Sequence, residues 1–135
     1  MTLLTAIYAH LAANSGVSAL TSTRIYPMQA PQIDTNADVS PTLVFSLDGR
    51  RDEVDVGAQR VISRTTWTVA CLASTPDAAH QLNDAVIACL ANYRGVLGGS
   101  GGVTVQFVEM MDSSDFVDDL TLGFYIVTST FEITV

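Results

Sequence analysis

Two histidines, two cysteines and fourteen carboxylates are the side chains here that could bind metal or carry out acid–base and thiol chemistry. His80 and Asp84 stand one helical turn apart, the nearest approach to a ligand pair, and His10 has no Cys, Asp or His at a ligand spacing. A closed zinc shell takes four such ligands, so the pair reads as solvated surface. The run 112–119 holds Asp112, Asp115, Asp118 and Asp119 but lacks the glycine and closing glutamate that give a calcium loop its turn and its bidentate ligand. No Gly-x-Ser-x-Gly elbow occurs among the many hydroxyls. Gly98-Gly99-Ser100-Gly101-Gly102 cannot be a phosphate loop, because that motif needs a following lysine and the chain has none; it reads as a flexible connector. Nothing brings together a nucleophile, a base and an oxyanion site. The expectation is a protein that is not an enzyme and uses no cofactor.

The acids fall mainly into two clusters: Asp48, Asp52, Glu53 and Asp55, and Glu109, Asp112, Asp115, Asp118 and Asp119. Six arginines are the only bases, which leaves a net charge of -8. That balance argues against a binder of phosphate backbones, which needs clustered cations to release counterions. The clusters are readable as solvated loop tips, as partner contacts, as calcium ligands or as the wall of a charged channel. No apolar run approaches the ~20 residues that cross a bilayer, and the N-terminus lacks the charged start and small-residue cleavage site of a signal peptide. The expectation is a soluble, unexported protein of one domain, 1–135, with no membrane partner.

The clearest local structure lies at 60–95, a strand feeding a helix. Side chains alternate over 61–73, with Trp67, Val69, Cys71 and Ala73 on one face and Arg64, Thr66 and Thr68 on the other. Thr75 offers a hydroxyl cap, Pro76 fits the first helical position, and Asp77 suits the positive end of the helix dipole. Leu82, Ala85, Val86, Cys89, Leu90 and Tyr93 then recur on one side, Gln81, Asn83, Asp84 and Asn92 largely on the other, and Arg94-Gly95 supplies a stop. Cys71 and Cys89 both fall on core faces and are expected as buried, reduced thiols.

Elsewhere, Leu3, Leu4, Ile7, Tyr8 and Leu11 make a helical stripe that Asn14-Ser15-Gly16 ends, and 17–23 reads as a short connection. Arg24-Ile25-Tyr26-Pro27 is extended, and 33–40 is polar and expected as a mobile loop. A strand at 42–47 precedes a polar arm, 50–59, in which Asp48-Gly49 does not act as a hairpin turn. Val103, Val105 and Phe107 begin a third strand running to Met111, 112–119 reads as an acidic turn or loop, and 120–135 is a long last strand. In that strand Tyr125, Val127, Phe131 and Ile133 share a face, with a bulge expected near 128–130. The order α-β-β-α-β-β predicts an α+β fold: a mainly antiparallel four-stranded sheet with two helices on one face. Two helices cover one face only, so Tyr125 and Val127, with Arg50, Arg51, Asp52, Glu53 and Asp55 of the arm, become candidate contacts to a second subunit or partner.

The N-terminal helix, Arg24-Ile25-Tyr26-Pro27, Pro41-Thr42-Leu43-Val44-Phe45, and Arg64-Thr65-Thr66-Trp67-Thr68-Val69 running into the helix from Pro76 follow an order that resembles the tail terminator, or tail completion, family of long-tailed bacteriophages and phage-derived gene transfer agents. The resemblance covers nearly the whole chain. It implies a structural virion protein, made in the host cytoplasm, that assembles as a homo-hexameric ring on the end of the tail tube. Such a ring stops tube growth and joins the tail tube protein to the head-tail connector protein, and DNA passes through without specific binding. The family carries no catalytic residues to transfer. In such a ring, Asp48, Asp52, Glu53, Asp55, Glu109, Asp112, Asp115, Asp118 and Asp119 are candidate channel-lining acids. The alternative is a small acidic binding or regulatory domain that recognises a basic partner or calcium; an enzyme built from scattered residues is a third.

Overall fold

Three side chains start the helices. Thr2 accepts a hydrogen bond from the Thr5 amide to cap α1 (Leu3–Ala13), Asn14 accepts from Val17 to cap α2 (Ser15–Thr21), and Thr75 accepts from Ala78 to cap α3 (Pro76–Leu90). The computed structural model describes residues 1–28, 40–54, 57, 60–117 and 125–135. The expected loop at 33–40, apart from Ser40, lies outside the described residues. The connection expected at 17–23 is mostly α2, because Asn14 ends one helix and caps the next in the same stroke. α3 begins where its caps predict but ends at Leu90, with Asn92 in the left-handed region (φ 62). Arg94, read from sequence as a stop, instead stacks its guanidinium 5.1 Å over Phe107.

The expected four-stranded sheet with two helices is overturned: the described residues form a five-stranded mixed sheet, a separate two-stranded sheet and three helices. The large sheet has the order β1 (Ile25–Pro27), β2 (Thr42–Val54), β3 (Arg60–Ala73), β7 (Tyr125–Thr134), β6 (Phe107–Val117). β1 runs parallel to β2, pairing Ile25 with Leu43, and every other neighbour is antiparallel. Three residues are too few to show alternation, and Pro27 is tolerated because β1 is an edge strand. The single strand expected at 103–111 divides at Gln106 into β5 (Val103–Val105), paired with β4 (Gly95–Leu97), and β6. β6 then continues through Val117, so most of the acidic turn expected at 112–119 is strand.

The polar arm expected at 50–59 is also sheet as far as Val54. Arg50 pairs with Thr65, Arg51 with Arg64, Asp52 with Ser63 and Glu53 with Ile62, a ribbon held by backbone bonds that needs no apolar face. Asp48-Gly49 makes no turn; a register irregularity falls between Leu47 and Gly49.

One core joins Ala6, Ile7 and Leu11 of α1, Val17 of α2 and Leu82, Val86 and Leu90 of α3 to Phe45, Trp67, Val69, Phe131 and Ile133 of the sheet. The unbroken register of β3 with β7 excludes the bulge expected near 128–130; the irregularity lies in β6, between Met110 and Asp112. Val127 and Phe131 therefore turn inward, fully buried, and the apolar residues of the opposite face are Val44, Ala70, Leu72 and Ile126. Asn83 departs from its expected polar side and is buried. The glycine run is a tight turn between β4 and β5, with the Gly102 amide bonded to Gly99 oxygen at 3.0 Å.

Candidate assembly surface

Directly opposed residues on neighbouring strands share a face, so the register identifies what the helix-free side of the sheet presents. Across it run Glu53 opposite Ile62, Arg51 opposite Arg64, Gly49 opposite Thr66, Thr66 opposite Glu132, and Glu132 opposite Glu109. Asp112 stands opposite Thr130, which stands opposite Thr68. Thr68 donates its hydroxyl proton to the Asp48 carboxylate, which brings Asp48 onto the same side. Two acidic clusters separated in the chain thus meet on one face: Asp48 and Glu53 from the first, Glu109 and Asp112 from the second, with Glu132 between them.

Arg64 is the hinge of the charge pattern. Its Nε lies 3.3 Å from Glu53 Oε1 and its Nη1 lies 3.4 Å from Glu132 Oε1, while Arg51 Nη2 lies 2.8 Å from Glu53. Glu53 thereby offsets the two guanidiniums that the register sets opposite one another. Glu109 and Glu132, both carboxylates, face each other as a like-charge pair, which is destabilising unless a cation approaches. A depression of about 290 Å³ lies among Gly49, Arg50, Arg51, Arg64, Thr66 and Glu132, where Gly49 leaves no side chain.

The remaining sequence-derived candidates scatter. Arg50 pairs with Asp52 at 3.0 Å on the ribbon. Tyr125 is half-buried beside Ala73, Ala79 and Val127, so that pair faces α3 rather than the open side. Asp115 joins the sheet opposite Val127, and Asp55, Asp118 and Asp119 lie outside the described residues. Sequence reading missed Arg64 and Glu132 as a linking pair, although their outward parity in alternating strands was a usable signal. It also missed Met110 and Met111, both exposed on β6 where the register shifts; Met110 stands opposite the inward-facing Phe131, so its exposure does not follow from facing the open side.

Among the described residues no group of three or more His, Cys, Asp or Glu could hold a metal ion. His10 Nε2 lies 3.3 Å from Cys89 oxygen and its ring packs on Tyr93, a structural role. Burial pushes the Cys71 thiol up to about 12 and Cys89 up to about 11, the wrong direction for a nucleophile. Among the described residues no single helix is long and apolar enough to cross a membrane.

A family model described as tail completion protein gp17 matches residues 5–135. In fold, the chain is similar to one in the solved structure described as the virion of a native gene transfer agent (GTA) particle, with a TM-score of 0.72 and 18% identity, covering 98% of this chain and 93% of that one. No curated protein sequence matches.

Proposed function

Because the chain belongs to the tail completion protein gp17 family, we propose that it acts as the repeating subunit of a closed ring that caps the tail tube, with the helix-free face of its sheet turned to a central DNA channel. It is a structural protein of the virion tail. The ring would meet the tail tube protein on one side and the head-tail connector protein on the other. The observation that carries the proposal is the gathering of Asp48, Glu53, Glu109, Asp112 and Glu132 on one face against two arginines, Arg51 and Arg64. DNA passing such a wall is repelled by carboxylates, where clustered cations would hold its phosphates by counterion release. Ring symmetry repeats every carboxylate, so a few per subunit set the sign of the potential within a Debye length of ~8 Å at physiological salt.

A symmetry-averaged electron microscopy reconstruction of particles tests this. Expected is a closed ring of this chain at the tube end with Glu109 and Asp112 on the lumen. A single copy, an open helical stack, or a lumen lined by the helices would overturn it.

A further inference from the structure

Carboxylates are spread unevenly along the chain. Residues 1–33 carry none, and with histidine neutral Arg24 is their one charged side chain, so the stretch has a charge of +1. The other five arginines and fourteen acids leave -9 on the remainder, which together make the net -8. A ring sets copies of one acidic protein side by side, and like charges facing each other across an interface are costly. The acid-free stretch is the part of the chain that can meet a neighbour's carboxylates without that repulsion.

The fold sets this stretch at one end and an acidic helix at the other. α1 packs on β1, which ends the large sheet on one side, whereas α3 packs on β3 and β7 and reaches β6, which ends it on the other. His10 turns toward α3, its Nε2 3.3 Å from Cys89 oxygen, so Tyr8, about 200° away around α1, faces away from α3. Tyr8 is 40% exposed, and Ala12, one turn on, is exposed beside it. Arg24 directly precedes β1. Its Nε donates to Pro41 oxygen at 3.0 Å and its Nη2 to Leu20 oxygen at 3.3 Å, and among the described residues no carboxylate pairs with it. On α3, which has no Lys or Arg, Leu82 points into the shared core and Asn83 to Ser113 of β6. Asp77, His80 and Asp84, spaced i, i+3 and i+7, form an exposed stripe beyond Asn83 on the β6 side.

We propose that the acid-free flank of one copy, Tyr8, Ala12 and Arg24, packs against the Asp77–Asp84 stripe of α3 in the next. This rests on the ring reading and names its interface. Tyr8 supplies a rigid aromatic anchor, Ala12 allows close approach, and Arg24 supplies the charge that answers the stripe. The contact is head-to-tail: each copy gives α1 on one side and receives one on the other, the arrangement that closes into a ring when its rotation closes. It lies in the helix layer, so Asp48, Glu109 and Asp112 stay bare on the opposite face of the sheet, as a channel wall requires. It cannot form within one copy. β1 and β6 stand four strand spacings apart, about 19 Å at ~4.8 Å per strand.

Ala12 and Asp84 lie on the outward sides of two helices that meet at His10 and Cys89, so at least a helix diameter of ~10 Å separates them within one copy, beyond the ~7 Å reach of a disulfide. Cysteines at the two positions therefore report contact between copies only. Assembled particles carrying Ala12→Cys with Asp84→Cys, oxidised and run on a non-reducing gel, are expected to give a ladder of subunit multiples. Buried Cys71 and Cys89 stay silent. Ala12→Cys with Glu109→Cys, on the helix-free face, is expected to give none. Particles that show a ring by electron microscopy but no ladder, or that crosslink equally through Glu109→Cys, would overturn the interface and leave the ring standing. Particles without a ring would overturn both. A charge exchange covers the case in which the cysteine variants fail to assemble. Ala12→Glu sets a carboxylate on the acid-free flank and is expected to lower the yield of capped tails about tenfold, and Asp84→Arg in the same chain to restore it. Ala12→Glu without effect, or without rescue by Asp84→Arg, would overturn the interface.

Discussion

Asn83 on α3 and Ser129 on β7 are joined by a 2.5 Å hydrogen bond in which the serine hydroxyl donates to the amide oxygen, with both side chains buried. Asn83 Nδ2 donates in turn to Ser113 Oγ on β6 at 3.2 Å, so one helix side chain is tied to two strands. A buried network of this kind is satisfied at one helix position only, and sliding α3 along the sheet would orphan its members. Asn83→Ala is expected to destabilise the protein by about 1 to 3 kcal/mol, since it removes the 2.5 Å bond of the buried Ser129 hydroxyl and leaves it only Ser113 Oγ at 3.3 Å. Urea unfolding measures this. The double variant with Ser129→Ala should cost clearly less than the sum of the two single changes; strict additivity would mean the bond contributes nothing specific.

The cysteines predict how stability responds to alkali. Both thiols rise from an ordinary value of 9.0, Cys71 to about 12 and Cys89 to about 11, because burial penalises the thiolate. Below pH 9 the thiols are protonated in folded and unfolded chains alike, and their contribution is intact. As pH climbs from 9 toward 11 and 12 the unfolded chain ionises first, so stability falls. The denaturation midpoint should drop across that window, and Cys89→Ala should flatten the slope. Alkylation should label neither thiol in the folded protein and both after denaturation.

Substitutions in the glycine turn separate sterics from strain. A Cβ on Gly102 would stand 1.9 Å from the Leu97 carbonyl oxygen, whereas one on Gly99 meets nothing within 4 Å although its φ is +70. Gly102→Ala is expected to cost about 3 kcal/mol or more through forced backbone movement. Gly99→Ala should cost only about 1 to 2 kcal/mol for a left-handed residue with a Cβ. Thermal melts of the two variants check the order; equal losses would contradict the turn geometry.

Arg64→Ala should leave folding nearly unchanged. Its ion pairs with Glu53 and Glu132 span 3.3 and 3.4 Å, but the arginine side chain is 37% exposed. Pairs in such contact with solvent contribute less than about 1 kcal/mol. A loss beyond about 2 kcal/mol in the unfolding free energy would show that Arg64 holds the ribbon to the sheet, not merely its charge pattern.

Much of the local structure was legible in the sequence because its causes are local. Thr75, Pro76 and Asp77 define a helix start within three residues, and the alternation from 61 to 73 can satisfy only a strand, found at Arg60–Ala73. The order of such segments also sufficed to place the chain in its family, which the match over 5–135 bears out. What alternation cannot say is which of a strand's two faces is covered. Val127 and Phe131 share a face by their spacing alone, but that the face lies under α3 follows from the register of β7 against β3 and from where the helix packs. The same limit hid the surface. Glu53 and Glu109 emerge on one side only because the two strands between them, β3 and β7, hold β2 and β6 in a fixed register, with irregularities at Leu47/Gly49 and Met110/Asp112 that swap parity without any sequence signature. A strand's period is written in its own residues; its pairing, and so the side on which each charge emerges, is set by backbone hydrogen bonds to strands far away in the chain.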